Sequence, residues 1–285
     1  MRLSKRISQN LAFAALRLNA LLMILVLGII LFFVFSRGIK SVTWEFVTSM
    51  PRNGMTEGGI LPAIVGTLCL VTGAVLVAVP LGVLSAIYTT EYARQGLLVR
   101  VIRMATNNLA GVPSVVFGLF GMALFVKGLS FGPSILAGSL TLALVALPLV
   151  IRTSEEALKT VPMDLREASL ALGATQWQTV RAVVLPSALP GIMTGTILTV
   201  GRVAGETAPI LFTVAAYFLP RLPHSVFDQV MAMPYHLYVI TTSGTQIEKT
   251  RPLAYAAAVV LLGVVLLINL AAVLVRKRYR RRVGH

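Results

Sequence analysis

Long apolar runs constrain this chain more than any other feature, because a helix needs about 20 apolar residues to cross a bilayer. Glycines and polar residues interrupt two of the runs, the third and the fifth. Hydrophobic residues make up 56% of the 285 positions. The chain is therefore predicted to be an all-α membrane protein with six transmembrane helices. The six windows are residues 18–35, 60–89, 107–128, 133–151, 187–217 and 252–275.

Basic residues are distributed unevenly between the two sides of this six-helix arrangement. Of the 25 Lys and Arg, 17 fall on the side that carries both termini, seven fall on the other, and only Arg202 lies inside a span. Because cytoplasmic segments are enriched in Lys and Arg, both termini are predicted to be cytoplasmic. The basic tail 276–282 is expected at anionic membrane lipid, and this explanation of the net charge of +15 is favoured over binding to nucleic acid.

Residues for catalysis or metal binding are scarce. Cys69 is the single cysteine, it lies inside a predicted span, and the three histidines are scattered along the chain. Neither a disulfide framework nor a metal site is predicted. The Gly-rich phosphate loop of ATPases is absent, so we expect no ATP hydrolysis by this chain and no cofactor bound to it.

A polar, helix-forming stretch, 167–186, separates two apolar windows on the predicted cytoplasmic side. Pro162 and Asp164 favour the start of a short helix just before it. Gly173 can supply the left-handed residue that ends this helix.

A second short helix is predicted to follow directly. Thr175 and Gln178 have the spacing of a capping box, and the helix is expected to end before Pro186. Trp177 is predicted to lie on its apolar face. Two short amphipathic helices around a glycine indicate a docking element.

Arg202 and Glu206 are predicted to share one face of the fifth helix, because they are four residues apart. Ionised groups inside a bilayer are costly unless they pair, face water or meet a charged substrate. Arginine suits an oxyanion because its planar fork donates two parallel hydrogen bonds. We expect Arg202 to bind an anion and Glu206 to hold it in place. The alternative is an ion pair that only stabilises the helix.

A second charged cluster closes the fourth span at its cytoplasmic end. Arg152 is expected to relay the anion there, with Glu155 orienting its guanidinium. The alternative is an arginine that merely extends to the membrane interface. Another segment of the predicted cytoplasmic side, 91–103, has an apolar and a basic face. It is expected to lie in the membrane interface before the third span.

The polar stretch resembles the EAA loop of ABC importer permeases, in which a Glu-Ala-Ala triplet, a glycine and a Leu-Pro ending recur at fixed spacing. Ser169 stands where the pattern has its second alanine. Segments 109–121, 147–162 and 201–213 resemble the A-type permease subunit of phosphate-specific ABC importers, and the likeness extends from about residue 60 onward. The EAA match consists of Glu167, Ala168, Ser169, Gly173, Leu185 and Pro186.

The resemblance implies a type I ABC importer permease (MetI-like) fold in a bacterial inner membrane. It implies a heterodimer with a C-type permease subunit, a cytoplasmic ATPase dimer that binds ATP and Mg, and an external phosphate-binding protein. The anion path would be lined by Arg152, Glu155, Arg202 and Glu206. Coupling to the ATPase would fall to Asp164, Glu167, Ala168, Ser169, Gly173, Trp177, Leu185 and Pro186.

Three regions are expected: a basic arm with the first helix and an external loop (1–59), a transmembrane domain (60–275) with the coupling loop 153–186, and a basic cytoplasmic tail (276–285). Two other functions stay open. One is an importer permease for molybdate, sulfate or phosphonate. The other is a membrane-embedded enzyme using Glu206 or His236 as an acid or base, and the lack of a clustered nucleophile disfavours it.

Overall fold

The computed structural model describes residues 2–94, 96–243 and 247–283. Met1 of the predicted basic arm and the last two residues of the predicted tail, 284–285, lie outside the described residues. Within that part of the chain the secondary structure is helical apart from one small hairpin and an isolated β-bridge between Ala215 and Val230.

The helices differ widely in length. The hairpin pairs β1 (Pro51–Arg52) with β2 (Glu57–Gly58) in antiparallel register. Turns of π-helix extend three helices, at Tyr88–Tyr92, Met122–Gly128 and Val180–Val184. The helices are α1 (Arg2–Gly38), α2 (Trp44–Thr48), α3 (Leu61–Ile87), α4 (Leu97–Ala110), α5 (Ser114–Gly121), α6 (Ile135–Lys159), α7 (Met163–Ala171), α8 (Gln176–Thr179), α9 (Leu185–Val203), α10 (Ala208–Leu211), α11 (Met233–Thr242) and α12 (Ile247–Val283).

Five helical segments of the described chain are long and apolar enough to cross a membrane. A sixth crossing arises only if the bent pair Val99–Ala110 and Ser114–Gly128 is counted as one span. The six-helix prediction therefore holds with this bent pair as its third member. The five segments are Gln9–Ser41, Leu61–Tyr92, Ile135–Lys159, Gln176–Val203 and Thr250–Arg278.

The predicted third window, 107–128, is wrong at its start. The amphipathic helix expected over 91–103 forms as α4 and continues to Ala110, and the chain then bends by 103° before α5 begins. Pro113 fixes its own φ and disfavours helical geometry at Val112, which explains why the bend falls there.

The fifth crossing also differs from its predicted window, 187–217. The helix does not end before Pro186, because a π-helical turn carries α8 into α9 without interruption. Pro186 cannot donate a hydrogen bond to the preceding turn, and it lies where the π-helical turn Val180–Val184 passes into α9. At the other end α9 stops at Val203, and a turn and the short α10 continue the crossing.

Helices α3 and α6 form the centre of the bundle. A Cβ atom on Gly82 would lie 2.6 Å from Val150 Cγ1, and one on Gly73 would lie 2.5 Å from Ser139 Oγ. Glycine thus allows these two helices to approach closely at two levels. The core cluster around them includes Ile210, so the irregular part of the fifth crossing packs against the same pair.

The outer helices expose apolar side chains along much of their length. On α1, Leu22 and Phe32 are exposed, as are Leu266 and Leu270 on α12. In water such a surface would be unfavourable, whereas it is the surface expected of helices that face lipid.

Candidate functional site

Arg202 lies at middle depth in the bundle, one residue before α9 ends. Two glycine contacts set the register of α9 against the antiparallel α6. A Cβ atom on Gly191 would lie 2.8 Å from that of Ala157, and one on Gly195 would overlap the hydroxyl of Thr153. At 1.5 Å per residue, Arg202 is about 10 Å beyond the Gly195 contact, which is level with the middle of α6.

Arg202 and Glu206 form an ion pair across the end of the helix. Arg202 Nε lies 3.5 Å from Glu206 Oε1. The prediction that both share one helix face is wrong for Glu206, because α9 has already ended at Val203. A tight turn instead returns the carboxylate to the arginine: the N–H of Gly205 donates to the Arg202 carbonyl, and that of Glu206 donates to the Val203 carbonyl.

The two members of this pair differ in exposure. The side chain of Arg202 is 56% exposed and that of Glu206 is 16% exposed. The guanidinium therefore stays open to a ligand while its counter-charge is held against the bundle. Helix C-termini carry partial negative charge, which adds to the stabilisation of the cation at this position.

Arg152 pairs with Glu156 and not with Glu155. Arg152 Nε lies 3.5 Å from Glu156 Oε1, and both side chains are about two-thirds exposed. The prediction that Glu155 orients Arg152 is therefore wrong. On the continuous helix α6, the residue four positions on faces the same side as Arg152, whereas Glu155 turns inward.

Glu155 instead joins three helices at the end of the bundle that carries α7 and α8. Its Oε1 accepts a hydrogen bond of 2.6 Å from Thr89 Oγ1 of α3's π-helical extension. Its Oε2 lies 3.7 Å from both Arg103 Nε of α4 and Lys159 Nζ of α6. A buried carboxylate needs such partners because burial of an unpaired charge is costly. Arg152 and Arg103 also line a cleft of about 200 Å³ here.

The first half of the coupling segment folds as predicted. Asp164 lies in the first turn of α7, and Gly173 follows its end with φ +85°. The N–H of Gly173 donates to Leu170 and that of Ala174 donates to Ser169, which is the Schellman arrangement that a left-handed residue permits. The predicted glycine stop is confirmed.

The capping box of the second half is also confirmed. The N–H of Gln178 donates to Thr175 Oγ1, and the N–H of Thr175 donates to Gln178 Oε1 at 2.8 Å. Trp177, however, is 55% exposed, while Val180 and Val184 of the same helix are buried. Trp177 therefore lies at the exposed end of the predicted apolar face, whereas the rest of that face is covered by this chain.

Ser169 shows what the departure from the EAA pattern does. Its Oγ lies 2.9 Å from Thr179 Oγ1, so a hydrogen bond joins α7 to the end of α8. An alanine could not make this bond. The remaining predicted coupling residues Glu167 and Ala168 are exposed on α7, whereas Leu185 and Pro186 are half-buried at the start of α9.

The coupling segment presents an apolar surface with no cover in this chain. No residue of α7 is buried, and several of its large side chains face outward. A patch of this kind on a polar segment indicates a partner-binding surface. Its exposed apolar members are Met163, Leu165, Leu170, Leu172 and Trp177.

Sequence reasoning missed two features at the end of the bundle that carries α7 and α8. One is the Thr89–Glu155–Arg103 group, and the other is an ion pair of 2.9 Å between Arg166 and Glu91. The sequence feature that could have indicated these contacts is the small number of acidic residues: the chain has 10 Asp and Glu against 25 Lys and Arg. An acidic residue at a membrane boundary in such a basic chain is expected to have a cationic partner.

His236, the candidate acid or base of the alternative enzyme, is buried in α11. Burial lowers the pKa of His236 to about 4. Among the described residues its Nδ1 has no hydrogen-bond partner. A buried imidazole that stays neutral at neutral pH is poorly suited to act as a general acid.

The helical bundle, the mid-depth arginine and the exposed apolar surface of α7 and α8 define a multi-pass membrane protein with a partner-binding surface at one end. The chain belongs to the family of binding-protein-dependent transport system inner membrane components, whose profile matches residues 78–283. It is thus a multi-pass transport subunit and not an enzyme, and ATP hydrolysis resides on a separate chain.

Particular relatives refine this class. Probable ABC transporter permease protein YqgI of Bacillus subtilis (strain 168) is 33% identical over 282 residues, 95% of each chain. Phosphate transport system permease protein PstA 1 of Mycobacterium tuberculosis (strain ATCC 25618 / H37Rv) is 41% identical over 226 residues, 79% of this chain and 72% of that protein.

A solved structure confirms the fold. The crystal structure of a bacterial ABC transporter involved in the import of the acidic polysaccharide alginate matches with a TM-score of 0.69, 17% identity and coverage of 98% of this chain and 99% of that one. The predicted ABC importer permease fold is therefore confirmed. The cytoplasmic location of both termini stays a prediction.

Proposed function

We propose that this chain is a permease subunit of an ATP-driven importer for inorganic phosphate. The observation that carries the proposal is Arg202, a half-exposed guanidinium at mid-depth where the fifth crossing breaks. Irregular backbone at membrane depth is tolerated where it is buried in protein or lines a cavity. The phosphate-transport name of the mycobacterial relative supports the choice of substrate.

Arg202 would hold the anion transiently. Its fork donates two parallel hydrogen bonds to a phosphate oxygen pair and remains charged at every physiological pH. Glu206, 3.5 Å from the guanidinium, competes for the same donors. This competition keeps the affinity low enough for the anion to leave.

The chain would supply one half of the path, and a C-type permease subunit the other. Leu198 is exposed four residues before Arg202 on the same face of α9, and the partner subunit would cover both side chains. The anion would then be enclosed between the two subunits.

Arg152 and Glu155 would act at the cytoplasmic exit in different ways. Arg152 is exposed beside the 200 Å³ cleft and can receive the anion from Arg202. Glu155 would act by positioning, because its carboxylate holds α3, α4 and α6 together at this end.

Coupling would pass through the exposed surface of α7 and α8. A cytoplasmic ATPase dimer, with ATP and Mg bound to it, would cover the apolar patch around Leu172 and Trp177. An external phosphate-binding protein would deliver the anion from the other side of a bacterial inner membrane. Alternation between outward-facing and inward-facing states would then move phosphate past Arg202.

ATP-driven uptake of radiolabelled phosphate by the assembled complex in proteoliposomes tests the proposal. Arg202→Gln is expected to lower uptake about a hundredfold, because it removes a bidentate charge-assisted pair. Arg100→Gln, which removes an exposed cation from α4, is the matched control and is expected to leave uptake unchanged. Undiminished uptake by Arg202→Gln would overturn the assigned role. Uptake of molybdate, sulfate or a phosphonate in place of phosphate would favour the other oxyanion importers.

A further inference from the structure

An ion pair at the cytoplasmic end ties the coupling helix α7 to the central helix α3. Arg166 Nη2 donates to Glu91 Oε1 at 2.9 Å, and its Nε donates to Glu91 Oε2 at 3.2 Å. Two parallel bonds to one carboxylate fix the relative orientation of the two groups as well as their distance. Glu91 lies in the π-helical turn that extends α3, 75 residues before Arg166 in the chain.

The same arginine also binds the end of α6. Its Nη2 donates to the carbonyl of Leu158 at 2.9 Å, and its Nη1 donates to that of Val161. From the other side, the amide of Gln176 donates to the backbone carbonyl of Glu91. Arg166 and Glu91 thus form the centre of a joint among α3, α6, α7 and α8, beside a cleft of about 730 Å³.

This joint is shielded from water. The Arg166 side chain is 14% exposed and that of Glu91 is 10% exposed, in contrast to the 67% and 66% of Arg152 and Glu156. A shielded, bidentate pair resists deformation, because breaking it leaves a desolvated charge without its partner. A force applied to α7 is therefore expected to move α3 and not to break the Arg166–Glu91 ion pair.

Helix α3 leads from the joint to the region of the mid-depth pair. It packs closely on α6 at Gly82 and Gly73. In its outer half, Leu70 and Val71 line the same small space as Glu206. A displacement of the end of α3 near Glu91 is consequently transmitted through packed side chains to the residues around Glu206.

We propose that Arg166 and Glu91 are positioning residues that transmit the movement of the coupling helix to α3, and through it to the Arg202–Glu206 site. This inference rests on the proposed function. A merely structural role predicts that uptake and ATP hydrolysis fall together as stability falls. A transmitting role predicts that ATP hydrolysis continues while uptake and the movement of α3 are lost, beyond any loss of stability.

The experiment uses the assembled complex in proteoliposomes with Arg166→Glu, Glu91→Arg and the double swap. ATP hydrolysis, phosphate uptake and thermal stability are measured together. A fluorescent probe on a cysteine placed at Leu76, an exposed position of α3, reports ATP-dependent movement in a Cys69→Ala background. Arg100→Glu is the matched control, since it reverses an exposed cytoplasmic-side cation of α4 without touching the joint.

Each single reversal is expected to lower uptake per ATP hydrolysed by about tenfold and to abolish the Leu76 response, because it places two like charges in a shielded site. The double swap is expected to restore both, and Arg100→Glu to alter neither. Unchanged coupling in the single variants would overturn the inference, as would a double swap no better than either of them. So would loss of uptake that follows loss of thermal stability alone. If the unaltered complex moves no phosphate, the proposed function fails, while the Leu76 response still tests the joint.

Discussion

The two exposed-arginine pairs, Arg152–Glu156 and Arg202–Glu206, are alike in spacing and distance and differ in backbone, exposure and position in the bundle. Both have a spacing of four residues and an Nε–Oε1 distance of 3.5 Å. The first lies on a continuous helix with both side chains open to water. The second spans a helix end at mid-depth with its carboxylate held against the bundle.

The difference shows that spacing alone does not assign a role to an ion pair. An ion pair in water contributes little to the free energy of unfolding, because solvent screens the charges and both side chains lose conformational freedom when they meet. A pair at membrane depth has no such solvent, so each charge is strongly favoured to meet either its partner or an ionic substrate. The function of each ion pair is therefore expected to depend on whether it lies in water or at membrane depth.

The largest contrast is expected from exchanging the two charges within each pair. Arg202→Glu combined with Glu206→Arg keeps an ion pair but places a carboxylate where the anion binds, and uptake should fall about a hundredfold. Arg152→Glu combined with Glu156→Arg should lower uptake by only about tenfold, because solvent at this exposed site screens the reversed charge that the departing anion meets. Recovery of uptake by the first exchange would mean that the 202–206 pair is only structural. Radiolabelled phosphate uptake measures both.

A smaller contrast is expected from neutralising the acid alone. Glu206→Gln removes the competitor for the guanidinium, so phosphate should bind more tightly and turnover should fall about tenfold through slow release. Glu156→Gln should change neither quantity. Steady-state uptake over a range of phosphate concentrations separates the two effects, and an unchanged half-saturation concentration in Glu206→Gln would contradict the competing role.

Replacing arginine by lysine should give a still smaller contrast. Arg202→Lys keeps the charge and loses the planar fork, so uptake is expected to fall about fivefold. Arg152→Lys should behave like the unaltered chain. Equal uptake in both variants would show that only charge, and not bidentate geometry, matters at mid-depth.

The smallest effect concerns stability. Arg152→Gln is expected to shift the thermal unfolding midpoint of the purified complex by less than about 2 °C, since exposed pairs contribute well under 1 kcal/mol. A shift of many degrees would show that the exposed pair is structural after all and would weaken the contrast with Arg202. Arg100→Gln provides the baseline for removal of one exposed cation.

Features set by neighbours along the chain could be predicted from sequence. Gly173 ends a helix because a left-handed residue is needed there, and Thr175 with Gln178 caps the next one because both groups lie within one turn. The uninterrupted apolar windows located their crossings because a transmembrane helix must be apolar along its length. These are local requirements of backbone geometry and of the bilayer.

Features that depend on contacts across the fold could not be predicted. Spacing allowed Arg152 to pair with either Glu155 or Glu156, and only the inward turn of Glu155 toward Thr89, 66 residues earlier, decides between them. Pro186 suggests a helix end from its own chemistry, yet the π-helical turn before it keeps the helix intact. The end of α9 at Val203 likewise reflects packing of the following segment on α3 and α6.

The unbroken helical path from Gln176 to Val203 has a mechanical consequence. Its 28 residues make a lever about 42 Å long, with the capping box of Thr175 and Gln178 at one end and Arg202 near the other. A tilt of about 10° at the capped end sweeps the far end through about 7 Å, comparable to the reach of an arginine side chain. The two ends are also linked thermodynamically. If docking of the ATPase changes the affinity for the anion, binding of the anion must change the docking affinity by the same factor.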